Sequence, residues 1–198
     1  MFRSMLAVCM LLSVSATQQQ ESKEPDFPTT DEIQLVVTQS ERSIEQYRQS
    51  VVLEAELVSA KEDPSGVRKD QELIESATKL IAALKKNPEG FHVLGGLLLL
   101  SLLDDASRNA ALCSNTGMAE ITQGLIAKPD ANTAYRILNI SNGCIAASTH
   151  LYTVSESVEA MLEREMKAQQ NLNEKAMNVA KKCTGVLKQM TPKDGPKR

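Results

Sequence analysis

The sequence predicts an all-α protein: an antiparallel helical bundle of about five or six helices with a long C-terminal helix. Three observations point there. Apolar residues recur at spacings of three and four through every long segment, which is the repeat of one face of an α-helix. No segment shows sustained apolar–polar alternation with β-branched enrichment, so strands are not expected. From Cys144 to about Met190 there is no Pro and one Gly, Gly185, so little punctuates a final helix.

The first element opens at Thr29-Thr30-Asp31-Glu32, where a Thr precedes a Glu by three residues in the pattern of a capping box. Ile33, Val36, Val37, Ile44, Tyr47, Val51, Ala55 and Val58 follow as one stripe, with Ser40 its polar member, and the helix is expected to end near Glu62. Asp63-Pro64-Ser65-Gly66 reads as a turn. The second helix, about Arg68 to Lys86, presents Leu73, Ile74, Ala77, Leu80, Ile81 and Leu84. Lys85 and Lys86 suit the negative end of its dipole, and Asn87-Pro88 closes it.

A third helix, about Phe91 to Leu112, is apolar on nearly all sides over its first half, so it is expected in the middle of the bundle with Leu98 in the core. Gly95 and Gly96 cost about 1 kcal/mol each relative to Ala, and close approach of a neighbouring helix would account for them. Ser114-Asn115-Thr116-Gly117 reads as a break, followed by a short helix at about Met118–Ala127 and another at about Ala131–Ile140. Ser141-Asn142-Gly143 ends or kinks the latter. Beyond it Leu151, Val154, Val158, Leu162, Met166, Leu172, Ala176, Val179, Cys183, Leu187 and Met190 trace the stripe of the long last helix, packing against the first, with a bend admissible near Asn171–Asn173.

The ends of the chain read differently. Arg3, the apolar run Met5–Leu12 and the small residues Val14-Ser15-Ala16 make the three-part pattern of a secretory signal peptide, residues 1–16, cut after Ala16. Eight apolar residues are too few to span a bilayer, and no later run is long enough for a transmembrane segment. The expected location is therefore extracytoplasmic: periplasmic in a bacterium, otherwise secreted. Residues 17–29 are a polar, Pro-containing leader, residues 30–190 a single helical domain, and residues 191–198 a polar tail.

Composition narrows the function. The chain has 198 residues, a net charge of −3, no Trp and 3% aromatic residues, so it offers neither a basic footprint nor stacking platforms for nucleic acid. Cleavage leaves Cys113, Cys144 and Cys183, and in an oxidising compartment one pair is expected to bridge. Three pairings are possible. Cys113 with Cys144 is preferred because both lie near expected helix ends, and closing that loop is worth about 3.7 kcal/mol on a chain-entropy model. Cys183 then sits on the apolar stripe, as a small buried hydrophobe or as an intermolecular thiol.

The remaining chemistry is sparse. Glu89-Gly90-Phe91-His92 matches the Glu-x-x-His half of a carboxylate-bridged metal site, but no second copy exists because position 147 is Ala. Cys144 and His150 lie about 120° apart around a helix and do not share a face. Asp104-Asp105 return a buried helix to water, with Arg108 an ion-pair partner one turn on. Glu156, Glu159, Glu163, Arg164, Glu165 and Lys167 form a solvated face or a coiled-coil flank. Asn139-Ile140-Ser141 is a glycosylation sequon, relevant to a eukaryotic source. Phosphate-binding glycine loops, nucleophile elbows and zinc motifs are missing from the sequence. No catalytic, cofactor-binding or metal-binding residue is therefore assigned, no cofactor is expected, and an enzyme is disfavoured. The expected function is a protein-binding or structural module, with an unknown protein partner or self-association through the C-terminal helix. The alternative is a carrier of a small apolar ligand, held between helices around Phe91, Leu94, Leu97 and Leu98.

Overall fold

A computed structural model describes residues 26–58, 65–92, 94–122 and 130–190. The expected signal peptide, the leader up to residue 25, the Asp63-Pro64 turn and the polar tail lie outside the described residues. Four α-helices and one 3₁₀ turn run in order: α1 (Thr30–Val58), α2 (Ser65–Lys86), the turn Pro88–Phe91, α3 (Leu94–Thr122) and α4 (Ala131–Met190). Among the described residues there is no strand. The chain divides into two units. One is Pro28–Glu163, and the other holds, among the described residues, Asp26 and Phe27 with the remainder of α4 from Arg164.

α1 begins as its sequence dictates. The Thr29 amide donates to Glu32 Oε2 at 2.7 Å and the Glu32 amide donates to Thr29 Oγ1 at 3.3 Å, the two arms of a capping box. Asp130 does the same work for α4, its carboxylate accepting the Thr133 amide at 2.7 Å. That bond holds the Asp130 carboxyl below its ordinary range.

Within the first unit each neighbouring helix runs opposite to the next. Lys85 reaches Glu41 at 2.8 Å and Arg48 donates to Thr78 at 2.7 Å, pairing α2 with α1. Asn109 donates to Asp70 at 2.8 Å, pairing α3 with α2. Gln46 meets His150 at 2.7 Å and Glu56 meets Arg136 at 3.1 Å, pairing α4 with α1. The core between them holds Ile33, Val37, Ile44, Tyr47 and Val51 of α1, Ile74, Ala77, Ile81 and Leu84 of α2, Leu99 and Leu103 of α3, and Leu151 and Val158 of α4. On α1, α2 and α4 these residues fall on the stripes that the three-and-four spacing marks.

Among the described residues the helices are four, where five or six were expected in the chain. The two presumed breaks continue as helix, because their small residues are seams. Ser114 carries a carbonyl that accepts the Ser141 hydroxyl at 3.3 Å, and Cys113 beside it meets Cys144. Gly143 lies where a Cβ would stand 2.6 Å from Ser50 Oγ, so α4 runs close to α1 there. The propensity cost of these residues, about 1 kcal/mol or less apiece, is outweighed by the contacts they permit.

The third helix differs too. It starts at Leu94, not Phe91, because Pro88–Phe91 forms a separate 3₁₀ turn that drives Phe91 into the core. A Cβ at Gly95 would collide with the Gly90 carbonyl, and one at Gly96 would stand 2.7 Å from a Leu162 methyl of α4. Gly96 thus marks close approach of a neighbouring helix, as expected, whereas Gly95 lies against the 3₁₀ turn that precedes its own helix. Leu98 is not in the core: it is 48% exposed, while Leu99 and Leu103 are fully buried. A helix in a four-helix bundle keeps one side outward, whatever residues stand there.

Candidate functional site

α3 and α4 meet along a ladder of small residues. The Ser107 hydroxyl donates to the Ser148 carbonyl at 3.1 Å, and the Ser148 hydroxyl donates to the Ser107 carbonyl at 3.0 Å. Seven residues later in α3 and seven earlier in α4, the Ser141 hydroxyl donates to the Ser114 carbonyl at 3.3 Å. Cys113 and Cys144 lie at disulfide distance within this ladder, their Cα atoms 6.1 Å apart. Ser107 with Ser114 and Ser141 with Ser148 form a seven-residue repeat in the sequence, but Ser114 and Ser141 read there as helix breaks. Because hydroxyls bond back to main-chain carbonyls, they fill a helix seam as well as alanine does.

A polar cluster links the other three-helix junction. The Tyr47 ring is fully buried and its hydroxyl faces the Asp70 carboxylate without closing a well-formed hydrogen bond. Asp70 also accepts from Asn109. Burial raises the Tyr47 hydroxyl well above its ordinary range, and the neighbouring Asp70 charge adds to this. Burial likewise raises the Asp70 carboxyl, against the nearby Tyr47 hydroxyl and the bond from Asn109, which lower it. Asp70 and Asn109 are partly exposed, and the cluster ties α1, α2 and α3 together.

The other expected groups stay apart. His92 stands 3.9 Å from Glu89 at the 3₁₀ turn, whereas His150 bonds Gln46 of α1. Among the described residues no three His, Cys, Asp or Glu side chains gather as a metal would require. Asp105 and Asn139 are exposed, and Asp104 is partly so. Of the four residues named for an apolar ligand, Phe91 is buried, while Leu94, Leu97 and Leu98 stand on the outer side of α3. An open groove of about 450 Å³ lies elsewhere, between α1 and α2, walled by Val51, Val52 and Ile74 and rimmed by Arg48 and Lys79.

The more conspicuous feature is the outer surface of α4. In the first unit Tyr135, Leu138, Ile145 and Tyr152 are all exposed. In the second unit Met166, Leu172, Met177 and Val179 are exposed, and Cys183 is partly so. No helix among the described residues is long and apolar enough to cross a membrane. Compared with protein-family models, with curated proteins and with solved structures, the chain matches none.

Proposed function

We propose that the protein is an exported helical-bundle module that acts by binding another polypeptide through its long C-terminal helix and catalyses no reaction. The observation that carries this reading is the succession of exposed apolar side chains along α4, from Tyr135 to Val179. Exposed aromatic and aliphatic residues arrayed along one element are the usual anchors of a protein interface. Export is supported by the three-part pattern of residues 1–16 and by a cysteine pair at disulfide distance.

Native mass spectrometry of the protein, purified gently from the extracytoplasmic fraction of its host, tests the reading. The expected result is the mass of residues 17–198 less two hydrogens, in complex with a second polypeptide of the same or a different sequence. An adduct of a few hundred daltons that leaves on denaturation would replace this reading with the carrier of a small apolar ligand.

A further inference from the structure

The net charge of −3 conceals a division. Residues 175–198 hold seven lysines and arginines against one acid, Asp194, a net charge of +6. Residues 1–174 hold the other fifteen basic residues and twenty-four acids, a net charge of −9. Within the helical part, from Lys175 to Met190, there are four lysines and no acid. A block of one sign on a body of the other is the sequence mark of an arm that engages an anionic partner.

This stretch of α4 is also amphipathic. Leu172, Ala176, Val179, Ala180 and Cys183 fall within about 100° of one another around the helix. The first four are exposed and Cys183 is partly so. Positions 186, 187 and 190 repeat apolar residues in the same register. Lys175 and Lys182 border one edge of the stripe and Lys181 stands opposite it, all three exposed. A helix with one apolar side and lysines around it lies along a membrane surface, its apolar side at the acyl boundary and its ammonium groups at the phosphates. It lies on the bilayer and does not span it, since no helix among the described residues is long and apolar enough to cross.

We infer that the last third of α4, from Leu172 to Met190, docks on a membrane surface bearing anionic phospholipid. Charge selects this partner. A second copy laid on the same stripe would set one basic block against another, which repels. Nucleic acid would leave the apolar stripe in water. An anionic bilayer satisfies the apolar side and the lysines together, and each lysine near its surface strengthens binding about fivefold. The stripe contains two alanines and no aromatic residue, so its apolar contact is shallow and the attachment depends on charge. The inference goes beyond the reading of the protein as a polypeptide-binding module. It gives the end of α4 a lipid surface and leaves the stretch from Tyr135 to Tyr152 to the polypeptide.

Sedimentation with lipid vesicles tests it, on protein purified as for native mass spectrometry. The protein is expected to pellet with vesicles of equal parts phosphatidylcholine and phosphatidylglycerol and to stay in solution with phosphatidylcholine alone. High salt, which screens exposed charges, is expected to release it. Lys181→Glu with Lys182→Glu is expected to weaken vesicle binding by about a hundredfold or more. Val179→Glu is expected to weaken it by about tenfold. Circular dichroism of both variants is expected to match the wild type, because all three residues are exposed. Equal binding to both kinds of vesicle would overturn the proposal, since charge would then play no part. Binding to neither would overturn it outright, and a bound polypeptide in native spectra would leave the binding-module reading standing without it. Vesicle binding indifferent to Lys181→Glu with Lys182→Glu would also overturn it, placing the contact in another part of the chain. A protein that ignores vesicles but loses a co-purifying acidic polypeptide on the same double change would show that the basic segment binds protein and not lipid.

Discussion

Ser107 and Ser148 exchange hydrogen bonds, each hydroxyl donating to the other residue's carbonyl, at 3.1 and 3.0 Å. The pair both ties α3 to α4 and sets how near they come, because no larger side chain stands between them. A neutral hydrogen bond contributes about 1 kcal/mol net, and overpacking a close seam costs about 1–3 kcal/mol. Ser107→Ala is therefore expected to lower unfolding free energy by about 1 kcal/mol in urea titrations, and Ser107→Leu by more. The two hydroxyl oxygens lie 3.5 Å apart, so Ser107→Ala with Ser148→Ala should cost less than the two single changes together. Strict additivity would show that the bonds act independently.

The cysteine pair belongs to the same seam. Cys113 and Cys144 are separated by 31 residues, and a bridge closing that loop stabilises by about 3.7 kcal/mol through the unfolded chain. Adding reductant is expected to lower the denaturation midpoint, and Cys113→Ala with Cys144→Ala to reproduce the loss. A midpoint indifferent to reductant would show that the two sulfurs are not joined in solution.

Adjacent leucines of α3 should respond oppositely to a charge. Leu99 is fully buried and Leu98 is 48% exposed. Leu99→Asp places an unpaired charge in the core and is expected to unfold the protein. Leu98→Asp meets water and is expected to leave the melting temperature within a few degrees. Circular dichroism of the two variants checks this, and unfolding by Leu98→Asp would mean that the outer side of α3 is covered.

That pair also shows how far the sequence could be read. Stripes on α1 and α2 were legible residue by residue, because each helix has one apolar face and one polar face, and the polar face says which way is out. α3 lacks a polar face over Leu94–Leu103, so periodicity found the helix but could not orient it. Ser114–Gly117 and Ser141–Gly143 misled for a related reason. Short polar residues and glycine mark turns when alone, but here Ser114 accepts from Ser141 across a seam and Gly143 lies against Ser50, and only the fold brings residue 114 to 141 and 143 to 50. The outward stripe from Tyr135 to Tyr152 was hidden likewise. It overlaps the inward stripe on the same helix, and the two separate only when one is seen to be covered. The Cys113–Cys144 pairing was legible from helix ends, although neither residue proved to end a helix.

Asp70 makes stability depend on pH. Its carboxyl is raised above the ordinary value, chiefly by burial, although the bond from Asn109 opposes this. The folded chain therefore holds that proton more tightly than the unfolded chain does. The resulting stabilisation is fully present at pH below the ordinary aspartate value, and it is lost as pH rises through the higher, folded value. Ionisation as pH rises leaves a partly desolvated charge there, with the Tyr47 hydroxyl beside it. Asp70→Asn keeps an oxygen to accept from Asn109 and removes the charge. The variant is expected to melt above the wild type at pH 7, with the gap closing as pH falls below the ordinary aspartate range. Thermal unfolding of both chains across that interval checks the sign. A variant that melts below the wild type at pH 7 would mean that the ionised carboxylate, held by Asn109 and Tyr47, contributes more than its burial costs.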